Sequence, residues 1–221
     1  FPSYIMGRGT EYGVGVFRQA PSGRVTPFTV SATGPAGVTV RAPTDSFTAG
    51  TTFREVTVRA RGAGTGTDTL ILQSPGLQPD TVRMVVVGAV ATPYAYSGLV
   101  GQDVEVSATI RPIGTSSSYR VADSTTLLLQ VIDTAMIALV DDTVRIAASE
   151  YTPFRTALIR FRRPGQGKVR LVDPSGRFAP DSVTLYGFPQ TLGGSQDKIF
   201  LAMGEDSQGL NYYIYRDYST L

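Results

Sequence analysis

The stretch FREVTVRARGAGTGTDTLILQSPGLQPDTVRM, residues 53–84, recurs as FRTALIRFRRPGQGKVRLVDPSGRFAPDSVTL, residues 154–185. The two stretches align without a gap at a constant displacement of 101 positions (154 − 53). The identical pairs are Phe53/Phe154, Arg54/Arg155, Arg59/Arg160, Arg61/Arg162, Gly64/Gly165, Gly66/Gly167, Leu70/Leu171, Ser74/Ser175, Pro79/Pro180, Asp80/Asp181 and Val82/Val183. The chain therefore contains two copies of one unit.

Each copy is predicted to consist of β-strands. Val56, Val58 and Ala60 alternate with polar residues, and residues 157–162 of the second copy alternate in the same way. A period of two places one set of side chains inward and the other outward. We therefore expect solvated sheet faces to carry the arginines, which are Arg59, Arg61, Arg160, Arg162 and Arg163.

The segments between these strands contain turn residues. The glycines of residues 62–66 predict a hairpin turn, and the Pro-Asp pairs at 79–80 and 180–181 predict a corner before a final strand. Residues 125–140 could suggest a helix, but their apolar residues flank Asp133-Thr134, which suits two strands and a turn better. The sequence thus predicts an all-β protein.

Composition excludes several functions. The full chain of 221 residues has no cysteine, histidine or tryptophan, and its formal net charge is +2. Without histidine or cysteine there is no Ser-His-Asp triad, no Cys-His dyad and no thiolate or imidazole metal site. Asp141-Asp142 and Glu205-Asp206 offer oxygen atoms but lack a regular calcium-loop spacing. We predict no catalytic residues, no metal and no cofactor.

Nucleic acid and membrane are not expected as partners. The basic residues are dispersed and form no stripe that would follow a phosphate backbone. The longest apolar run, residues 84–90, is far shorter than the roughly 20 residues of a membrane helix and contains Gly88. We predict neither nucleic-acid binding nor a membrane span.

A family resemblance adds to this prediction. Six short segments resemble bacterial immunoglobulin-like domains of the type that recur in invasin- and intimin-type adhesins and in secreted surface proteins. They are residues 38–40, 47–53, 56–58, 69–72, 74–76 and 80–82. The second copy departs from the pattern at Glu150-Tyr151, where the first has Ala49-Gly50. The resemblance implies tandem immunoglobulin-like antiparallel β-sandwiches in an extracellular or cell-surface protein.

Repeated features at the ends of the units predict the domain boundaries. The expected domains are residues 1–92 and 93–187, each a sandwich, and 188–221, the opening strands of a third unit that another chain or repeat would complete. We expect interdomain hinges at Pro93, Tyr94, Tyr96, Phe188 and Pro189, because proline stiffens a joint and tyrosine packs over it.

The C-terminal segment carries an apolar strand that needs cover. Its residues Leu210, Tyr212, Tyr213, Ile214 and Tyr215 are predicted to pair with a strand of a neighbouring copy. The alternative is that the segment folds back across the second domain.

Three functions remain open at this point. The leading hypothesis is a stalk or filament subunit whose partners are further copies of the chain or adjacent immunoglobulin-like repeats. The alternatives are an adhesin or module that binds surface glycans through its aromatic residues, and an accessory region of an enzyme.

Overall fold

A computed structural model describes residues 3–19, 22–62 and 64–189, and the backbone of two further strands at 198–205 and 211–217. The described chain contains strands and turns, and no helix. The first group of strands is β1 (Ser3–Gly7), β2 (Thr10–Phe17), β3 (Thr26–Thr33), β4 (Thr39–Val40), β5 (Thr44–Phe47), β6 (Phe53–Arg59), β7 (Gly66–Gln73) and β8 (Asp80–Val87).

The second group follows directly. It comprises β9 (Ala89–Ala95), β10 (Gly98–Leu99), β11 (Asp103–Pro112), β12 (Arg120–Val121), β13 (Thr125–Val131), β14 (Ile137–Asp141), β15 (Thr143–Ile146), β16 (Ala157–Phe161), β17 (Gly165–Val172) and β18 (Ala179–Phe188). The last two strands are β19 (Lys198–Glu205) and β20 (Asn211–Asp217).

Both groups pair their strands in the same order. The first has one sheet β1-β8-β7-β3-β5 and a second sheet containing β2-β6-β4. The second group has β10-β18-β17-β13-β15 and β14-β16-β11 in the corresponding places. In each, the first strand is parallel to the last, and the other pairs of these two sets are antiparallel. Two such sheets packed face to face form an immunoglobulin-like sandwich, so the predicted all-β class is confirmed.

Alternating apolar residues fill the space between the sheets. Val58, Met84, Ile159 and Leu171 are fully buried, as their inward positions in the repeat require. Thr125–Val131 and Ile137–Asp141 are the two strands predicted for residues 125–140, and the backbone N–H of Ile137 donates to the Asp133 carbonyl in the turn between them.

The glycine-rich segment of residues 62–66 differs from its prediction. It connects β6 to β7, which belong to different sheets, so it crosses the sandwich instead of forming a hairpin. In β7, the buried carboxylate of Asp68 holds the loop between β3 and β4 by accepting the backbone N–H groups of Ala36 and Val38, both at 2.7 Å.

The chain passes from the first sandwich to the second at Gly88, the one residue between β8 and β9. Strand β9 pairs with β11 along Val106–Pro112 and with β18 at Ala179 and Pro180.

Strands β19 and β20 form an antiparallel two-stranded sheet, with an irregularity between Phe200 and Ala202. Leu210 lies outside the described residues. Pairing of residues 210–215 with another copy stays a prediction, as do the three predicted domains.

Candidate functional site at the joint between the sandwiches

A short strand of the second sandwich extends a sheet of the first. In β12, Arg120 and Val121 pair antiparallel with Glu11 and Thr10 of β2. The next backbone N–H, from Ala122, donates to the carbonyl of Gly9 at 2.9 Å. Because ladder bonds fix both direction and register, this pairing joins the two sandwiches through the backbone itself.

Arg8 makes the second connection. Its Nη2 donates to the carbonyls of Arg177 at 2.7 Å and Gly176 at 3.0 Å, and its Nε donates to the Arg177 carbonyl at 3.2 Å. The planar guanidinium presents these donors as a rigid fork. The loop that offers the carbonyls is held by Asp173, whose carboxylate accepts the backbone N–H groups of Arg177 and Phe178 at 3.0 Å.

Gly9 permits the close approach of these elements. Its φ is +78°, a left-handed conformation that favours glycine. A Cβ at this position would lie 2.7 Å from Cδ of Arg177 and 2.9 Å from the Phe178 ring. Phe178 is 2% exposed, so the joint is packed as tightly as a core at this point.

A buried ion pair lies beside β12. The Nε of Arg59 donates to Glu11 Oε2 at 2.8 Å, and the side chains are 14% and 1% exposed. The same pair occurs in the second sandwich as Arg160 and Asp103, displaced by 101 (160 − 59) and 92 (103 − 11) positions, with an N–O distance of 2.7 Å.

The two pairs differ in their surroundings. Arg160 and Asp103 are 48% and 40% exposed, and the hydrogen bond and charge of Arg160 lower the pKa of Asp103. Arg59 is covered by the second sandwich, where Ser149 Oγ accepts from its Nη2 at 3.4 Å. The predicted solvated position of Arg59 is therefore corrected: the joint buries it.

Three tyrosine rings pack together at the joint. The ring of Tyr12 lies 5.5 Å from that of Tyr4 and 5.4 Å from that of Tyr119, measured between centroids. The Tyr119 hydroxyl donates to the carbonyl of Ile5 at 2.8 Å. Burial raises the pKa of both Tyr12 and Tyr119. The rings add apolar contact between the sandwiches.

The residues predicted as hinges lie outside the joint formed by β2, β12 and the Arg8 fork. Pro93 is buried inside β9, and Tyr94 and Tyr96 form an exposed edge-to-face pair at 5.3 Å. Since β9 starts at the crossing and ends at Ala95, Tyr96 lies about 26 Å from Gly88 along the chain. Phe188 ends β18 and accepts the backbone N–H of Val100. Pro189 follows it, so a hinge at these two residues stays a prediction.

Pro93 fits a strand because of its place in the ladder. The N–H of Tyr119 donates to the Ile110 carbonyl, so the even-numbered residues of β11 direct their backbone groups away from β9. Pro93 lies opposite Ala108, one of those residues. Its missing N–H therefore removes no bond to β11. An interdomain hinge at Pro93, Tyr94 and Tyr96 stays a prediction.

The candidate metal ligands Asp141 and Asp142 accept hydrogen bonds from other side chains, and the side chains of Glu205 and Asp206 lie outside the described residues. Asp141 accepts from Arg155 Nη2 at 2.6 Å, and this bond lowers the Asp141 pKa. Asp142 accepts the hydroxyl of Thr143 at 2.8 Å. Within the described residues, no three acidic side chains come together to hold a metal ion. The same part of the chain has no helix of the length and hydropathy that a membrane crossing requires.

No family model matches the sequence, and no curated protein matches it. Solved structures do resemble the fold. The D0-D1 domain of intimin is 9% identical, with 84% of this chain and 94% of that chain covered and a TM-score of 0.34. Domains 5-6 of the S-layer protein SbsC are 15% identical, with 84% and 92% covered and a TM-score of 0.33.

The Yersinia pseudotuberculosis adhesin InvE is 13% identical, with 83% of this chain covered and a TM-score of 0.33; this chain spans 56% of that one. These likenesses concern the fold. The strand order defines an all-β protein with immunoglobulin-like sandwiches.

Proposed function

We propose that this chain is a structural, non-catalytic module of a bacterial surface or secreted protein, in which tandem immunoglobulin-like domains form a semi-rigid stalk. The observation that carries the proposal is the joint, where backbone pairing, the Arg8 fork and a buried ion pair all connect the same two sandwiches. A stalk needs units that keep their relative orientation.

The crossing itself favours a fixed orientation. Flexible tethers between domains are usually several residues of glycine, serine or proline. Here Gly88 alone separates β8 from β9, and its carbonyl accepts the N–H of Ile113 at 2.8 Å. An eight-residue strand spans about 27 Å, so each unit in such a series adds a roughly constant length.

The chemistry of the chain supports a role without catalysis. It contains no histidine or cysteine, and the acidic residues Asp103, Asp141 and Asp181 pair with arginines. In the proposed assembly, the partners are adjacent repeats or further copies of the chain. Residues 210–215 would add a strand to a neighbour and extend a filament.

Replacing Arg8 with alanine is expected to weaken the joint. The change removes three charged hydrogen bonds to backbone carbonyls, a loss of about 1.5–3 kcal/mol. The N–H of Ala122, which donates across the joint to Gly9, should then exchange with solvent deuterium about 10–100-fold faster. Hydrogen exchange followed by NMR measures this rate.

Arg24 provides the matched control, since it is exposed in the loop after β2, at the end of the first sandwich away from β12. Arg24→Ala should leave exchange at Ala122 unchanged. Equal exchange in the Arg8→Ala variant and the parent protein would contradict the role assigned to the joint.

A further inference from the structure

The two sandwiches differ in one strand. In the second, β9 lies between β11 and β18 and connects the two sheets into a single path. Beneath it, Val106 and Ala108 are fully buried. In the first sandwich the sheets containing β2 and β8 remain separate. No described strand occupies the place that corresponds to β9.

A cleft lies in that place. It has a volume of about 250 Å³ and opens between β2 and β8, where its lining includes Tyr4, Val14, Val16, Leu72 and Val82. Val14 and Val16 correspond to Val106 and Ala108 at a displacement of 92 positions (106 − 14). Strand β1 pairs with β8 from Arg83 onward. The start of β8, Asp80–Val82, pairs with β7 on one side, and its other edge, beside the cleft, has no partner among the described residues.

Among the residues that the structure describes, no strand pairs with the backbone of β2 along this cleft. The N–H of Arg18 donates to the Thr52 carbonyl at 3.0 Å, so even-numbered residues of β2 direct their backbone groups toward β6. By the alternation of an antiparallel ladder, Gly15 and Phe17 direct theirs away from it. Among the described residues, β12 is the second partner of β2, and it reaches only Thr10 and Glu11.

The corresponding residues of the second sandwich show what this edge accepts. Ser107 and Thr109 correspond to Gly15 and Phe17, and they lie opposite Tyr94 and Thr92 of β9. Unpaired N–H and C=O groups along an apolar cleft invite strand addition.

We propose that the cleft beside Val14–Phe17 is an acceptor site for an added β-strand with the chemistry of β9. The added strand runs antiparallel to β2, with small apolar residues at alternate positions. Its backbone pairs with Gly15 and Phe17, and its small side chains enter the cleft. This inference rests on the proposed stalk function, because strand addition at the first sandwich connects it to a further unit.

The inward side chains of the added strand determine whether it can bind in the cleft. In β9 the inward positions are Ala89, Ala91 and Pro93, all buried, while Tyr94 points to solvent. A charged side chain at an inward position would be buried without a partner. The site therefore selects strands that have small apolar residues at alternate positions. Backbone pairing alone is not sufficient.

A peptide with the sequence of residues 89–95 is the probe. It is joined to the N-terminus of the full chain through a glycine-serine linker of about eight residues, which reaches roughly 15 Å and gives a millimolar effective concentration. The matched control carries aspartate in place of Ala91 in the added peptide. NMR-detected hydrogen exchange follows the amides of Gly15 and Phe17.

The β9 peptide is expected to slow exchange at Gly15 and Phe17 by about tenfold or more, and the aspartate peptide is expected to leave it unchanged. No slowing with either peptide overturns the proposal. Equal slowing with both also overturns it, since the cleft then selects nothing. The readout is separate from exchange at Ala122, so failure of the acceptor site is distinguishable from failure of the joint.

Discussion

Replacing Arg59 with methionine is expected to lower the free energy of unfolding by about 3–5 kcal/mol. The substitution removes the partner of Glu11, whose side chain is 1% exposed. The other oxygen of this carboxylate, Oε1, already has no hydrogen-bond donor among the described residues. A buried carboxylate would then have no compensating charge. Urea denaturation measures the loss.

The chain supplies its own control for this prediction. Arg160→Met breaks the equivalent pair with Asp103, which is exposed, so solvent can replace the arginine and the change should be much smaller. The double variant Glu11→Leu/Arg59→Met should recover most of the stability. Equal losses for Arg59→Met and Arg160→Met would show that the second sandwich does not bury Glu11.

The substitution Phe178→Ala is expected to cost about 3–5 kcal/mol of stability. The Phe178 ring is 2% exposed and belongs to the core of the second sandwich. The guanidinium of Arg177 lies over this ring, 4.9 Å from its centroid. The ring also approaches Gly9 across the joint. Truncation therefore leaves a cavity where the core meets the joint. Urea denaturation again provides the measurement.

Leu77 is the counterpart of Phe178 at the displacement of 101 positions (178 − 77), but it is 67% exposed. Leu77→Ala should change stability by no more than about 0.5 kcal/mol. A small effect of Phe178→Ala, similar to that of Leu77→Ala, would contradict the packing described for the joint.

Much of the sandwich could be predicted from the repeat, because inward positions are set by local alternation. Val58 and Ile159 are buried in equivalent strands, as their pattern requires. Residue identity between the two copies predicts the surroundings of a side chain less well than the alternation does. Phe53 begins β6 and packs on Phe17, whereas Phe154 precedes β16 and bonds through its backbone N–H to the Arg145 carbonyl. The same residue therefore meets different neighbours in the two copies.

The joint could not be predicted because its contacts are remote in sequence. Arg8 bonds to the carbonyl of Arg177, 169 positions away. One signal was present: Gly9-Thr10-Glu11 and Gly101-Gln102-Asp103 share a glycine followed two residues later by an acid. Together with the repeated Arg59 and Arg160, that pattern indicates an ion pair common to both copies. Its burial in one copy depends on the neighbouring sandwich, which local sequence does not encode.

The joint is expected to hold the two sandwiches in one orientation. The absence of cysteine from the chain allows nitroxide labels at Ser31→Cys in β3 and Thr184→Cys in β18, both exposed strand positions. Double electron–electron resonance then measures the distance distribution between the sandwiches. We predict a single narrow distribution at the distance that the structure gives. A broad distribution, as for two bodies on a flexible tether, would contradict the claim.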